Sequence, residues 1–233
     1  MRFSGRLVTG RRATTAFIVL VLPFMAAIAQ RAPSLNPGID RSGRRAVEVW
    51  AGVSHGSSMW GQLGDMPDET MALTGVRFVQ RVHRAPGVSV EYAIDVIPIA
   101  LMSPPYRMPD ASCTGGCATT SDPRPGVNAH GAGINPVSLT AVFRDEHALQ
   151  LRAGAAAGAL WFDRPVPTTT AARFNFTGSL ELGAQLIGKS GNGLVALYRF
   201  HHLSNAGRGV DNPGIASHVL SLGARWRLGV TAH

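Results

Sequence analysis

The sequence predicts an all-β fold, namely an eight-stranded antiparallel, up-and-down β-barrel that crosses a membrane. Three observations predict it: apolar and polar residues alternate through most of the chain after residue 44, several alternating segments exceed ten residues, and their connections are long and short in turn. Charged residues make up only 15% of the 233 residues, against about 25% in ordinary soluble domains. The sequence has no run of 18 or more apolar residues, so it predicts no membrane-spanning helix.

The first 29 residues are typical of a cleaved signal peptide. They carry four arginines and no acid, then an apolar stretch at 15–28, and they end in an Ala-x-Ala sequence at 27–29. We therefore expect a signal peptide at 1–29, a polar lead at 30–44 and the barrel at 45–233. The alternatives are an uncleaved anchor and a twin-arginine signal at Arg11 and Arg12. The short apolar stretch and the residues that flank the arginine pair favour cleavage and the general secretory route.

The charge of the chain does not indicate a nucleic-acid partner. The sequence has 22 basic and 14 acidic residues, and loss of the four leader arginines leaves 18 against 14, a net charge of +4. It has neither a Lys/Arg run nor the interleaved aromatic residues of single-strand binders. A modest basic excess suits a surface rich in anionic lipid phosphates. We therefore predict membrane lipids, and no nucleic acid, as partners.

Eight segments show the alternation of a β-strand, in which successive side chains point to opposite faces. In the sixth segment, for example, Phe174 and Phe176 share one face, whereas Asn175 and Glu181 share the other. The predicted strands span about 45–54, 72–83, 87–99, 132–144, 147–162, 172–188, 192–204 and 214–229.

The polar faces and the connections favour a membrane barrel over a soluble β-sandwich or lipocalin-like barrel, which would also alternate. Charges of both signs line the polar faces and can pair inside a small barrel. They are Glu48, Arg77, Arg81, Glu91, Asp95, Arg152, Arg173, Glu181, Arg199, Arg225 and Arg227. The connections at 55–71, 100–131, 163–171 and 205–213 are long, and those at 84–86, 145–146 and 189–191 are tight. Long external loops and short periplasmic turns are typical of the outer membrane, where we expect the chain.

Two cysteines, Cys113 and Cys117, stand close together in the second long connection. Because the chain is expected to be exported, we predict that they form a disulfide across a small loop. A C-x3-C pair offers too few ligands for a metal, and the scattered histidines show no ligand spacing. The sequence therefore predicts no metal site.

The most informative stretch closes the seventh predicted strand. Alternation places His202 and Ser204 on the outward, lipid-facing side near the external rim, and Arg199 and His201 on the inward side. Polar side chains that face lipid cost free energy unless they are paired. A neighbouring His and Ser in this place suggest nucleophilic catalysis on a membrane lipid, with His202 as the general base toward the hydroxyl of Ser204.

Acyl transfer at Ser204 would also need hydrogen-bond donors for an oxyanion. Asn205 and the backbone N–H near Gly207 are the candidates, because glycine permits a turn that aims such a group. The alternative is that His202 and Ser204 are interfacial residues at the depth of the lipid headgroups. The residues alone leave the two interpretations open.

The same stretch resembles a known family. Residues 199–207 (RFHHLSNAG), followed by NPG at 212–214, are similar to the signature of the PagL-type lipid A 3-O-deacylases and their acyloxyacyl-hydrolase-like relatives. Residues 133–136, 162–167 and 173–176 match more loosely, so only H-x-S-N-A-G is specific. The resemblance implies an outer-membrane barrel that removes an ester-linked acyl chain from lipid A of lipopolysaccharide, without a metal or other cofactor. It also implies His202 as base, Ser204 as nucleophile, and Asn205 with Gly207 at the oxyanion.

One position departs from the family pattern. Members carry a Glu about twelve residues after the serine, where it orients the histidine, and this chain has Ala216 there. The remaining candidates for a third member are Asp211, Asn212 and His218. Loss of the third member of a triad can cost about 10⁴ in rate. The sequence therefore supports two hypotheses, a serine esterase of lipid A and a weakly active or inactive barrel for membrane integrity or adhesion, and it leaves a homodimer open.

Overall fold

The structure is a computed structural model that describes residues 45–57, 70–103, 128–167, 171–210, 212 and 214–229. The predicted signal peptide, the polar lead, the Cys113–Cys117 disulfide and Asp211 lie outside the described residues. Within these ranges, no helix is long and apolar enough to cross a membrane.

Eight strands form a closed barrel in which each strand pairs with the next and the last pairs with the first, always antiparallel. The strands are β1 (Arg45–Ser57), β2 (Thr70–Ala85), β3 (Val88–Ser103), β4 (Ala129–Phe143), β5 (Leu149–Val166), β6 (Ala172–Ile187), β7 (Gly193–Ser204) and β8 (Ile215–Leu228). The fold class that the sequence predicts is thereby confirmed. Closure leaves no unpaired sheet edge, which lipid could not satisfy.

The connections fall into two groups at the two ends of the barrel. At the end that we call external, the segments between strands are 58–69, 104–128, 167–171 and 205–214, and at the other end they are 86–87, 144–148 and 188–192. The third external connection is shorter than the predicted 163–171, because β5 continues to Val166. β3 likewise continues past Pro98, where its register with β4 shifts between Ile97 and Ala100.

The outer wall is apolar. Large apolar side chains that are strongly exposed point outward from the strands, among them Val53, Trp161, Leu182, Leu194, Leu220 and Leu222. Such a wall is expected where lipid, rather than water, surrounds the barrel.

The lumen is crossed by two clusters of paired charges. In the first, Arg77 binds Asp95 at 2.6 Å and Glu181 at 2.8 Å, and Glu181 also meets Arg199 at 3.3 Å. The indole nitrogen of Trp50 donates a hydrogen bond to Asp95 at 3.3 Å, and the guanidinium of Arg199 lies 3.8 Å from the centre of the Trp50 ring. The opposite charges and the added donor compensate for the desolvation of the buried groups.

The second cluster lies nearer the end with the short turns. Glu48 accepts from Arg152 at 2.9 Å and from Arg225 at 2.6 Å, and Arg225 also binds Glu91 at 2.6 Å. The two clusters contain four arginines and four acids, so their charges balance. The other charged residues that the sequence placed on polar faces, Arg81, Arg173 and Arg227, are partly or fully exposed.

Toward the external end, the lumen is filled by apolar side chains. The cluster consists of Trp50, Met71, Leu73, Ile97, Ala100, Met102, Ala129, Leu160, Phe162, Val166, Leu203, Ile215 and Val219. Leu203 belongs to it and is the residue between His202 and Ser204. Apolar packing in the lumen therefore holds the end of β7 in place, while its outward side chains face the surroundings of the barrel.

Candidate active site

His202 and Ser204 lie on the outward face of β7, at its external end. Both are half-buried, whereas His201 and Leu203, which alternate with them, are buried in the lumen. Ser204 is the last residue of the strand, so the segment that follows it begins beside its hydroxyl. The two side chains are thus neighbours on one wall of the barrel.

The strands on either side of His202 present very small residues. On β6 its partner is Gly178, where an added Cβ would meet nothing within 4 Å, and on β8 its partner is Ala216. Nδ1 of His202 is buried, and among the described residues it has no hydrogen-bond partner. Ala216 thus stands where a directly paired residue could reach the imidazole, about 4.5–5.5 Å away between Cβ atoms, but a methyl group offers no acceptor.

The hydroxyl of Ser204 is held by the loop rather than by His202. Its Oγ donates to Oδ1 of Asn212 at 3.1 Å, and the same oxygen of Asn212 accepts from the backbone N–H of Asn205 at 3.0 Å. No hydrogen bond joins Ser204 to His202 among the described residues. Alternate residues of a strand are about 6.6 Å apart, so a rotation of the serine side chain is needed to bring them together. Such contacts commonly tighten only when substrate binds.

A tight turn follows Ser204 and depends on an unusual backbone conformation. The N–H of Arg208 donates to the carbonyl of Asn205 at 3.2 Å, and the two central residues, Ala206 and Gly207, have φ of 55° and 76°. Positive φ at both central positions defines a type I′ turn. Glycine adopts this conformation readily, whereas an alanine there is strained by about 1–2 kcal/mol.

The turn directs its N–H groups in a way that differs from the sequence-based expectation. The N–H of Gly207, expected at the oxyanion, donates instead to the side chain of Asn205 at 2.9 Å, and Asn205 is buried. The N–H that points at the oxygen of Ser204 belongs to Ala206, at 3.2 Å. Sequence reasoning missed Ala206; the signal that could have found it is the tendency of a Ser hydroxyl to bond the backbone two residues on.

None of the residues considered as a third member is hydrogen-bonded to Nδ1 of His202 within the described part of the chain. Asn212 binds Ser204 and Asn205, as described above. His218 lies on the outward face of β8, where its Nδ1 is hydrogen-bonded to the hydroxyl of Tyr198 and its ring packs against Phe200. Asp211 is outside the described residues. The imidazole of His202 therefore lacks an orienting group among the residues that the structure describes.

The described side chains bring together no group of three His, Cys, Asp or Glu that could hold a metal ion. What the wall presents instead is a hydroxyl, an imidazole and a backbone N–H within one short stretch of β7 and its turn. These are the group types of a serine hydrolase, in which a base activates the hydroxyl and an N–H stabilises the oxyanion.

Comparisons with known proteins found a family model and solved structures that this chain resembles. The family model described as "Lipid A 3-O-deacylase (PagL)" matches residues 111–225, which include His202 and Ser204. The solved "Crystal structure of the outer membrane enzyme PagL" superposes with a TM-score of 0.53 at 14% identity, over 76% of this chain and 97% of that one. A second match, "Solid-state NMR structure of outer membrane protein AlkL in DMPC lipid bilayers", has a TM-score of 0.42, 13% identity and coverage of 88% and 98%.

No curated protein matches the chain. At 14% identity the solved PagL structure shows the fold alone, and the family model supplies the relationship. The resemblance that the sequence analysis drew from the H-x-S-N-A-G stretch is thereby confirmed. The family model for lipid A 3-O-deacylases, together with the shared barrel fold, supports a PagL-type family for this chain.

Proposed function

We propose that this protein is an outer-membrane serine esterase that removes an ester-linked acyl chain from lipid A, with Ser204 as the nucleophile and His202 as the general base. One observation carries the proposal. The two side chains are neighbours on the lipid-facing side of β7, at the external end of a closed barrel. A lipid in the outer leaflet reaches this position sideways from the membrane, without entering the lumen.

The reaction follows the usual course of acyl transfer. His202 accepts the hydroxyl proton of Ser204 as Oγ attacks the ester carbonyl, and the tetrahedral oxyanion is stabilised by a nearby N–H. The ester bond then breaks, the sugar oxygen takes the proton from His202, and an acyl-serine remains. Water gives a proton to His202, attacks the acyl-serine, and releases the fatty acid as the proton returns to Ser204.

The described contacts support a more specific assignment of the oxyanion donor. The N–H of Ala206 lies 3.2 Å from the nucleophile oxygen, whereas the N–H of Gly207 is engaged by Asn205. The Ala206 N–H is released from Oγ when Oγ attacks, so we propose that it then turns to the adjacent oxyanion, with Asn205 fixing the turn. Gly207 supplies the positive φ that the turn requires.

Export and location form part of the same proposal. Residues 1–29 would act as a cleaved signal peptide, and Cys113 with Cys117 would form a loop disulfide in the oxidising compartment. The substrate-facing partners would be lipopolysaccharide and other outer-membrane lipids. No comparison supports a homodimer.

A second candidate is a weakly active or inactive barrel of the same family, with a role in membrane integrity or adhesion. The specific observation that favours it is the unpartnered Nδ1 of His202 opposite Ala216. Without an orienting acceptor, the imidazole is not fixed in the tautomer that leaves Nε2 free to accept a proton. The two candidates differ in turnover, which is measurable.

The test is an acyl-release assay with the barrel refolded in detergent. Lipid A is incubated with wild type, Ser204→Ala and Ser217→Ala, and the products are weighed by mass spectrometry. Ser217 is the matched control, because it undergoes the same chemical change on β8 beside His201 but faces the lumen. We expect wild type and Ser217→Ala to release one acyl chain, and Ser204→Ala to release none.

Folding is verified for each variant before turnover is compared, by the shift in gel mobility on heating. No acyl release from folded wild type would remove the esterase proposal and leave the non-catalytic barrel. Equal release by wild type and Ser204→Ala would show that another residue is the nucleophile.

A further inference from the structure

Arg208 occupies a distinctive position at the external rim, just outside the proposed catalytic pair. Its guanidinium carbon lies 5.1 Å from the ring centre of Phe174 and 4.9 Å from that of Phe176. These two rings pack edge to face with centres 5.2 Å apart. A guanidinium within about 6 Å of an aromatic face is attracted by the ring, so the two phenylalanines form a platform for Arg208.

Both ends of this residue are positioned relative to Ser204. Its backbone N–H closes the turn on Asn205, the residue that follows Ser204. Its side chain rests on Phe176, which is the cross-strand partner of Ser204 on β6. The guanidinium is therefore held over the residue that pairs with Ser204 across the sheet, on the outward side of the wall.

Unlike the lumenal arginines and Arg164, Arg208 has no acid beside it among the described residues. The four lumenal arginines each bind a buried carboxylate, and Arg164, on the same rim, pairs with Asp163 at 3.3 Å. Arg208 is exposed and takes part in no ion pair in the described part of the chain. Because Arg208 is exposed while its guanidinium lies over the rings, its N–H donors are accessible from outside the barrel.

From this geometry we propose that Arg208 is an anion-binding residue that holds a phosphate of the lipid substrate while the ester approaches Ser204. The proposal rests on the proposed function and adds a substrate-binding group to it. A planar guanidinium offers two parallel N–H donors that match two phosphate oxygens. A phosphate of the lipid headgroup is the anion whose geometry this pair of donors would match.

The test measures binding without turnover, so it does not depend on the esterase. Ser204→Ala in detergent is captured on a surface and titrated with mixed micelles that contain lipid A with or without its phosphates. Arg208→Gln is added to this background, and Arg173→Gln is the matched control. Arg173 is exposed at the same end of β6, but alternation with Phe174 places it toward the lumen.

We expect Arg208→Gln to weaken binding of phosphorylated lipid A by about tenfold, and to leave binding of the dephosphorylated lipid unchanged. Arg173→Gln should leave both unchanged. Arg208→Lys should recover part of the loss, because it keeps the charge but not the bidentate geometry. An equal loss of affinity for both lipids in Arg208→Gln would overturn the proposal, since Arg208 would then act by packing alone. An equal loss of affinity in Arg173→Gln would also overturn it, in favour of a diffuse charge effect.

Inorganic phosphate separates a lipid headgroup from a free anion. Binding of inorganic phosphate by itself at submillimolar concentration, lost in Arg208→Gln, would overturn the assignment to the substrate lipid. Failure of the esterase is recognised separately. If wild type releases no acyl chain but binding still requires phosphate and Arg208, the anion site is supported and the catalytic proposal is wrong. If acyl release is intact but binding does not depend on phosphate, the catalytic proposal is supported and the anion site is wrong.

Discussion

The lumen of this barrel pairs its charged side chains, whereas the external end of β7 combines an unpaired imidazole nitrogen with a strained turn. Each of the eight charged side chains in the two lumenal clusters has an opposite charge within 3.3 Å. On the wall, Nδ1 of His202 is buried without a partner among the described residues, and Ala206 has a φ of 55°. Nδ1 of the lumenal His201 also lacks a partner among the described residues, so the contrast concerns charge pairing and the strained turn.

The difference separates what holds the barrel together from what it does. Lumenal pairs stabilise one arrangement of eight strands, because removing one partner leaves an uncompensated buried charge. The groups at the end of β7 contribute little to that arrangement. Substitutions in the lumen should therefore change stability, whereas those on the wall should change activity, and each prediction below tests one side of this contrast.

The largest expected effect is on the wall. His202→Gln should lower the rate of acyl release by about 10³-fold or more, because the hydroxyl of Ser204 loses its base. The free energy of unfolding should change little. The matched control is His218→Gln, the same change on the same face, at a ring that is hydrogen-bonded to Tyr198. Release of fatty acid from lipid A, followed over time, distinguishes the two.

His218→Gln should stay within a few-fold of wild type. Similar losses in the two variants would assign His218 a catalytic part and would contradict its position beside Tyr198. Retention of full activity in His202→Gln would remove the histidine from the mechanism.

The next effect is in the lumen. Arg77→Met should lower the free energy of unfolding by about 3–5 kcal/mol, because Asp95 and Glu181 lose the guanidinium that binds both. Arg227→Met, at a partly exposed position of β8, is the control and should cost little. Urea unfolding followed by tryptophan fluorescence measures both. The folded fraction of Arg77→Met should keep its rate of acyl release, and a loss of rate in folded protein would break the contrast between lumen and wall.

The fold was predictable because apolar and polar residues alternate along nearly every strand. The predicted strand bounds fall within a few residues of the observed ones. Closure of the barrel was expected because lipid cannot satisfy an open sheet edge. The third strand is an instructive exception: it was predicted to end at residue 99, but β3 continues to Ser103, with a shift of register against β4 around Pro98. A bulge accommodates the missing N–H of the proline, and the alternation of apolar and polar residues does not predict where a bulge occurs.

The candidate site was predictable in its residues and not in its contacts. Alternation alone places His202 and Ser204 on one face. The hydrogen bond from Ser204 to Asn212, eight residues away, depends on the path of the loop, which has no period. Gly207 signals a turn, but nothing in the sequence signals that Ala206 shares its positive φ. The sequence therefore identifies the candidate side chains, and the conformation of the turn determines which of them form hydrogen bonds.

The unpartnered imidazole gives the third prediction. Ala216→Glu should raise the rate of acyl release by about 10²-fold, because a carboxylate opposite His202 can accept from Nδ1 and orient the ring. Ala216 is 0% exposed, so the larger side chain should also cost about 1–3 kcal/mol of stability. Ala216→Gln is the control, since it has similar size without the charge. An equal gain from Gln would mean that packing, rather than a carboxylate, limits the rate.

The smallest effect tests the strained turn. Ala206→Gly should raise the free energy of unfolding by about 0.5–1 kcal/mol, because glycine adopts a φ of 55° without strain and this outweighs the greater freedom of the unfolded chain. The same change at Ala157, an exposed strand residue of β5, should lower it by a similar amount. Since Gly keeps the N–H, acyl release should stay within a few-fold of wild type. A more stable variant with much slower release would show that the alanine holds this N–H in its working direction, and that the site depends on strain that the lumen avoids.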